Sequence, residues 1–261
     1  MGTKTPDGIT LRYDDTGSGE PAIVFVHGWC CNRTNWRDQV PTFSRSHRVL
    51  ALDQRGHGES DKPDQDYTIA GFVDDLAWFI RDRGLERPVI VGHSMGGVIA
   101  LNLVRKHPEL ARAIVMIDSP STPLPEALQP VADSTLAAFQ TPLYKQTAEG
   151  FARSLFFNEQ SPKELVEEIV PSLIEAPQRL MHTALADLLS PASLEPGPVG
   201  VPALYIRAAT NYAPEGAQEE RYPGIEVAHV DAAHFLQMEK PNETNAIIDA
   251  FLAKVAAGAP A

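Results

Sequence analysis

The sequence predicts an α/β protein: a mostly parallel, eight-stranded sheet flanked by helices, with a helical cap inserted between two of its strands. Three observations predict it. Strand-like apolar runs alternate with amphipathic helical stretches up to Asp118, and strands resume after residue 199, which is the rhythm of a parallel sheet. Between Ser119 and about Pro198 the strand signal vanishes, and helical segments punctuated by proline replace it. Near the centre, the apolar run Pro88-Val89-Ile90-Val91 meets Gly92-His93-Ser94-Met95-Gly96 and then the helical run from Val98 to Val104. A strand, a sharp glycine-flanked turn and a helix therefore follow one another within a few residues.

Taken in order, Ile9–Tyr13 and Ala22–Val26 read as strands separated by the turn Thr16-Gly17-Ser18-Gly19. A loop from His27 leads to a helix around Trp36–Ser44. Arg48–Leu52 is the next strand, turned by Asp53-Gln54-Arg55-Gly56-His57-Gly58. Thr68–Arg83 is helical because Phe72, Leu76, Phe79 and Ile80 share one face, and Gly84 closes it. After the central strand and helix comes the strand Ala113–Ile117. The inserted region carries helices at Pro125–Phe139, Leu143–Phe157, Pro162–Ile174 and Pro177–Leu189, bounded or kinked by Pro142, Pro162, Pro171, Pro177 and Pro191. Strands return at Ala203–Arg207 and Ile225–Val230, and Glu243–Val255 is a closing helix. The division is a core of residues 1–119 and 199–261 and a cap of residues 120–198.

Composition narrows the function classes. A net charge of −12 disfavours a nucleic-acid or anionic-membrane surface. No apolar run approaches the ~18 residues of a spanning helix, and the amino terminus lacks the apolar stretch of a signal peptide. The two cysteines, Cys30 and Cys31, are adjacent and poorly placed to bridge one another, so a reduced, cytoplasmic compartment is expected. Nothing has metal-ligand spacing, and no cofactor is expected.

The Gly-x-Ser-x-Gly turn at Ser94, the His27-Gly28-Trp29 loop, the Asp53-x-Arg55-Gly56-His57-Gly58-x-Ser60 turn and Ala233-His234-Phe235 after the last strand lie in a characteristic order. On these residues the chain resembles the α/β-hydrolase superfamily over essentially its whole length. The resemblance implies that Ser94 is a nucleophile on a strained elbow, with serine, acid and histidine following in that order along the chain. His234 is then the base, since imidazole titrates near ~6.5 and can take and return a proton at neutral pH. His27, His57 and His93 sit in turns, where bonding to backbone is expected, and His229 sits within the last strand. The Met95 amide is one oxyanion donor, and by resemblance the Trp29 amide is the other.

The acid departs from the common pattern. Where many relatives carry aspartate after the seventh strand, this chain has Asn211 in Ala208-Ala209-Thr210-Asn211. Some superfamily members place the acid after the sixth strand instead, and by that resemblance Asp118, which ends that strand, is expected to orient His234, with Glu215 as the alternative. The side chains of Trp29, Phe139, Phe151, Phe156 and Met181 are expected to line an apolar substrate pocket, with Leu136, Leu155 and Leu185 as further candidates. The expected activity is hydrolysis of a carboxylic ester through an acyl-serine, with a small-molecule ester or lactone as partner. A lactonase is the first alternative; a perhydrolase, a carbon–carbon bond hydrolase or a non-catalytic small-molecule receptor follow it. A serine elbow argues against dehalogenase or epoxide hydrolase chemistry, for which the superfamily uses aspartate.

Overall fold

Eight strands build one sheet: β1 (Gly2–Lys4), β2 (Thr10–Thr16), β3 (Ile23–Val26), β4 (Val49–Asp53), β5 (Val89–His93), β6 (Ala113–Ile117), β7 (Ala203–Ala208) and β8 (Glu226–Val230). Their order is β1-β2-β4-β3-β5-β6-β7-β8. β1 and β2 pair antiparallel, as do β2 and β4, whereas every pairing from β4 through β8 is parallel. The computed structural model describes residues 1–258, so the last three residues of the expected core segment 199–261 lie outside the described residues.

The central strands are buried on both faces, which is why they read as continuous apolar runs rather than alternating ones. Alternate residues of each strand feed two cores. Val24, Val26, Leu50, Leu52, Ile90, Ile114 and Met116 face one way, toward α2 (Ile69–Asp82) and α3 (Met95–Lys106). Ile23, Phe25, Val49, Ala51, Val89 and Val91 face the other, toward Trp36, Phe43 and the closing helix Pro241–Ala257. α2 begins at Thr68, whose hydroxyl accepts the Gly71 amide, and passes into Gly84 at φ +62°.

Four helices occupy the interval between β6 and β7: α4 (Gln129–Phe139), α5 (Tyr144–Leu155), α6 (Lys163–Leu173) and α7 (Gln178–Leu188). Pro162 and Pro177 stand immediately before α6 and α7, where proline's missing N–H costs nothing. Pro171 instead lies inside the last turns of α6. Three details differ from the sequence reading. Residues 126–128, expected to be α-helical, form a 3₁₀ turn ahead of α4. The helix expected at Trp36–Ser44 is a 3₁₀ turn at Arg33–Trp36, capped by Asn32, followed by the four-residue α1 (Val40–Phe43). β1 is a short edge strand of three residues with no buried position, so no apolar pattern announces it.

The strand order places the site. From β3 the chain crosses to β4 on one side, and β5 lies on the other, so the loops leaving β3 and β5 diverge and open a crevice at the carboxyl ends. The register aligns Val26 with Gly92, His93 with Ile117, and Ile117 with Ile206. Trp29, Ser94, Asp118 and Asn211 consequently leave the sheet side by side. Ala208 pairs with Val230, which brings in the loop carrying His234.

Candidate active site

Ser94 stands at the turn between β5 and α3 with φ +52° and ψ −119°, a conformation costly for a residue with a side chain. Its amide donates to the Ile117 carbonyl (2.8 Å), and its carbonyl accepts from Gly97 N (3.0 Å). Two glycines make this turn possible. A Cβ on Gly92 would lie 2.2 Å from the Gly96 carbonyl oxygen, and one on Gly96 would lie 2.0 Å from that of Val26. Neither clash involves a movable side chain, so strand and helix can approach this closely only without those carbons.

His234 Nδ1 lies 2.7 Å from Asp118 Oδ2. The other Asp118 oxygen, Oδ1, accepts Asn211 Nδ2 (2.6 Å) and the Ala208 amide (3.3 Å). Asn211 Nδ2 also reaches the Tyr205 hydroxyl (2.9 Å), which donates to the Ser119 carbonyl. Burial by itself would raise the Asp118 carboxyl. The hydrogen bond and positive field of His234, with the bonds from Asn211 and Ala208, outweigh that and hold it below the usual carboxylate range. Asp118 has φ +40°, a left-handed conformation that aspartate tolerates better than most residues. Asn211, read from sequence only as the missing acid, is thus a donor to the Asp118 carboxylate. The cue was its coincidence with Asp118 on the neighbouring strand.

Glu215 is on the surface instead, with its side chain 76% exposed and facing His229 (3.3 Å) and Arg207 (3.8 Å). It takes no part in the His234 cluster. The remaining buried histidines bond to backbone. His27 Nδ1 meets the Gly28 carbonyl (2.9 Å) while its Nε2 accepts the Gln54 amide (3.1 Å), and His57 Nδ1 meets the Arg55 carbonyl (2.9 Å). His93 has a role the sequence did not signal. Its Nε2 lies 2.9 Å from the His234 carbonyl and holds the loop that carries His234. Burial, and then the neighbouring His234, push the His93 pKa down to about 3, so the ring is neutral and donates from Nε2.

Ser94 and His234 open onto one cavity of about 230 Å³. Its walls include Trp29, Asp118, Phe151, Phe156, Leu185 and Tyr212, and the only ionisable carboxylate or base in the lining is the Asp118–His234 pair. Leu128, Val131, Leu155 and Tyr212 also line it while remaining 41–60% exposed, so its mouth is apolar at the solvent boundary. Of the five expected lining side chains, Trp29, Phe151 and Phe156 reach the cavity. Phe139 and Met181 are fully buried behind them. Phe139 packs on Trp29 and Phe151 (centroids 5.7 and 6.4 Å), and the Met181 carbonyl accepts the Trp29 indole N–H (3.1 Å). They support the wall because the amphipathic helices direct these positions into their own packing. The Met95 side chain is likewise fully buried and outside the lining.

Among the described residues, neither the Trp29 nor the Met95 backbone N–H has a hydrogen-bond partner. No group of three or more His, Cys, Asp or Glu side chains could hold a metal ion, and no helix is long and apolar enough to cross a membrane, again among the described residues. Cys30 and Cys31 are buried free thiols beside this loop, and burial pushes the Cys31 thiol up to about 12.

A serine elbow and a histidine–carboxylate pair at the carboxyl edge of this strand order define a fold class, and comparison with known proteins names it. The alpha/beta hydrolase fold family matches residues 21–158, and the chain belongs to that family. The bifunctional epoxide hydrolase 2 of Sus scrofa is 34% identical over 119 residues, 44% of this chain but only 21% of that protein. The chain thus spans about a fifth of the length of that curated relative. Among solved structures, a thermophilic esterase from Thermogutta terrifontis is 25% identical, with a TM-score of 0.79 and 97% of each chain covered. Est816, described as an N-acyl homoserine lactone degrading enzyme, is 27% identical with a TM-score of 0.79, over 96% of this chain and all of that one.

Proposed function

We propose that this protein hydrolyses an uncharged, largely apolar carboxylic ester through an acyl-serine intermediate, with residues 120–198 acting as a cap over the site. The observation that carries the reading is the convergence on one apolar cavity of the strained Ser94 with a His234 whose Nδ1 is bonded to the Asp118 carboxylate.

Ser94 Oγ attacks the ester carbonyl carbon while His234 Nε2 takes its proton. The carbonyl π pair moves onto oxygen, where the Trp29 and Met95 amides receive the negative charge. Asp118 accepts the Nδ1–H bond, which places the free lone pair on Nε2 and stabilises the imidazolium. The tetrahedral species collapses, the C–O bond to the alcohol breaks, and His234 returns the proton to the departing oxygen. Water then attacks the acyl-serine by the same route, releasing the acid and restoring Ser94.

The cavity favours uncharged substrates because its lining offers no cation to pair a substrate carboxylate or phosphate. A cyclic ester uses the same steps, and the similarity to Est816 over 96% of this chain makes lactones the second substrate class. The test is a panel of p-nitrophenyl acyl esters, aromatic esters and lactones. We expect uncharged apolar members to have the highest kcat/KM. Ser94→Ala and His234→Ala should each lower kcat by several orders of magnitude, and the double variant should be no worse than either, since the pair acts as a unit. Near-normal hydrolysis by Ser94→Ala, or a preference for a dicarboxylate ester, contradicts the proposal.

A further inference from the structure

We propose that Phe156, the residue that follows α5 in the inserted segment, is a positioning residue for His234, so that the cap fixes the base as well as covering the cavity. The inference rests on His234 being the base, as proposed above. The Phe156 ring stacks on the His234 imidazole with centroids 4.6 Å apart and planes 22° from parallel. The Phe156 carbonyl accepts the His234 backbone N–H (3.2 Å). One residue therefore holds both the main chain and the ring plane of the base.

The geometry explains why such a hold is needed. The bond from Nδ1 to Asp118 fixes one point of the imidazole but leaves the ring free to rock about that line. Nε2 must nevertheless point at the Ser94 oxygen in the transition state, and misplacement by about 1 Å can cost about a hundredfold in rate. A flat aromatic face against the imidazole removes the rocking freedom. His93, 4.7 Å away between centroids, stands close to the same ring and binds the His234 carbonyl from the core side.

The grip extends along the same cap segment. Phe157 stacks on Phe235 (5.5 Å, 12°), and the Ser161 hydroxyl meets Glu239 Oε2 (3.4 Å), the oxygen that also accepts the Ala233 amide (3.2 Å). Residues 156–161 thus clasp residues 233–239 through ring, backbone and side-chain contacts. Any displacement of the cap moves the imidazole with it.

The experiment compares Phe156→Leu, Phe156→Met and Phe156→Tyr in the full chain, with p-nitrophenyl acetate as substrate. Leu and Met keep an apolar side chain but lose the flat face, and Tyr keeps it. We expect kcat to fall about tenfold or more in the Leu and Met variants with KM changed less than threefold, and Tyr to retain at least half of the wild-type kcat. Proton NMR should show a His234 ring resonance that moves in Leu, where the Phe156 ring current is lost, and stays near its wild-type position in Tyr. The inference is overturned if Leu and Met both keep kcat within twofold, if the loss falls entirely on KM, or if Tyr is as impaired as Leu. Wild-type turnover that ignores His234→Ala overturns the assignment of the base, and this inference with it. Ser94- and His234-dependent turnover with an unaffected Phe156→Leu overturns this inference alone.

Discussion

Replacing Asp118 with asparagine tests the site's electrostatics and its hydrogen-bond geometry together. The carboxylate lies 2.7 Å from His234 Nδ1 and is 6% exposed, so little solvent would screen the imidazolium of the proposed reaction. Two unit charges about 4 Å apart attract by about 4 kcal/mol at an effective dielectric constant of ~20. At ~1.4 kcal/mol per factor of ten, the loss of that charge alone costs about 10³ in rate. The hydrogen-bond pattern adds to this. Oδ1 is held by two donors, Asn211 Nδ2 and Ala208 N, so the amide oxygen of an asparagine at 118 takes that side. Its NH₂ is then left facing Nδ1, which must become an acceptor, and the imidazole proton moves to Nε2, where it blocks the base. A comparable exchange in a serine protease costs ~10⁴-fold. We therefore expect kcat to drop by about 10³–10⁴ for p-nitrophenyl butyrate at pH 7–8, with an unchanged far-ultraviolet circular dichroism spectrum. Asn211→Ala removes one charge-assisted bond, worth about 1.5–3 kcal/mol, and leaves the charge in place, so its loss should stay near or below a hundredfold. An Asp118→Asn variant within tenfold of wild type refutes the reasoning.

Two further predictions follow from packing and titration. Gly96→Ala places a carbon 2.0 Å from the Val26 carbonyl oxygen, which cannot yield without moving β3; it should cost about 3 kcal/mol or prevent folding, read by urea denaturation. Burial holds His27, His57 and His93 below the ordinary histidine value in the folded state. The unfolded chain therefore binds more protons below pH ~6.5, and stability present above that pH is lost as pH falls, by about 1.4 kcal/mol per pH unit for each histidine that stays neutral. For His93 the loss continues down to its folded pKa of about 3. Denaturation midpoints at pH 7, 6 and 5 should decline progressively, and a flat profile contradicts the assignment.

What the sequence disclosed follows from how locally each feature is encoded. The buried strands and the elbow are written in short apolar runs and paired glycines, so β3 to β7 and the turn at Ser94 could be read directly. Proline punctuation marked the four inserted helices within a few residues of α4 to α7. β1 escaped because a three-residue edge strand with no buried position has no pattern to show. The site divides in the same way. Ser94, His234 and Asp118 could be nominated from their order and their places after strands. The bonds of Asn211 to Asp118 and His93 to the His234 carbonyl join residues 93 and 141 positions apart, and no local pattern encodes such a pairing. Phe139 and Met181 illustrate the converse error, since an apolar residue on an inserted helix reads alike whether it faces the cavity or the layer behind it.

The central claim is that Ser94 carries the acyl group. The most direct measurement is intact-protein mass spectrometry after incubation with an uncharged diester, an ethyl p-nitrophenyl alkylphosphonate that loses p-nitrophenolate on labelling, followed by peptide mapping. The account predicts one phosphonyl adduct per chain, located on the peptide containing Ser94, with loss of esterase activity in proportion to labelling and no adduct in Ser94→Ala or His234→Ala. An active protein that takes up no label, or that carries it on another residue, would contradict it.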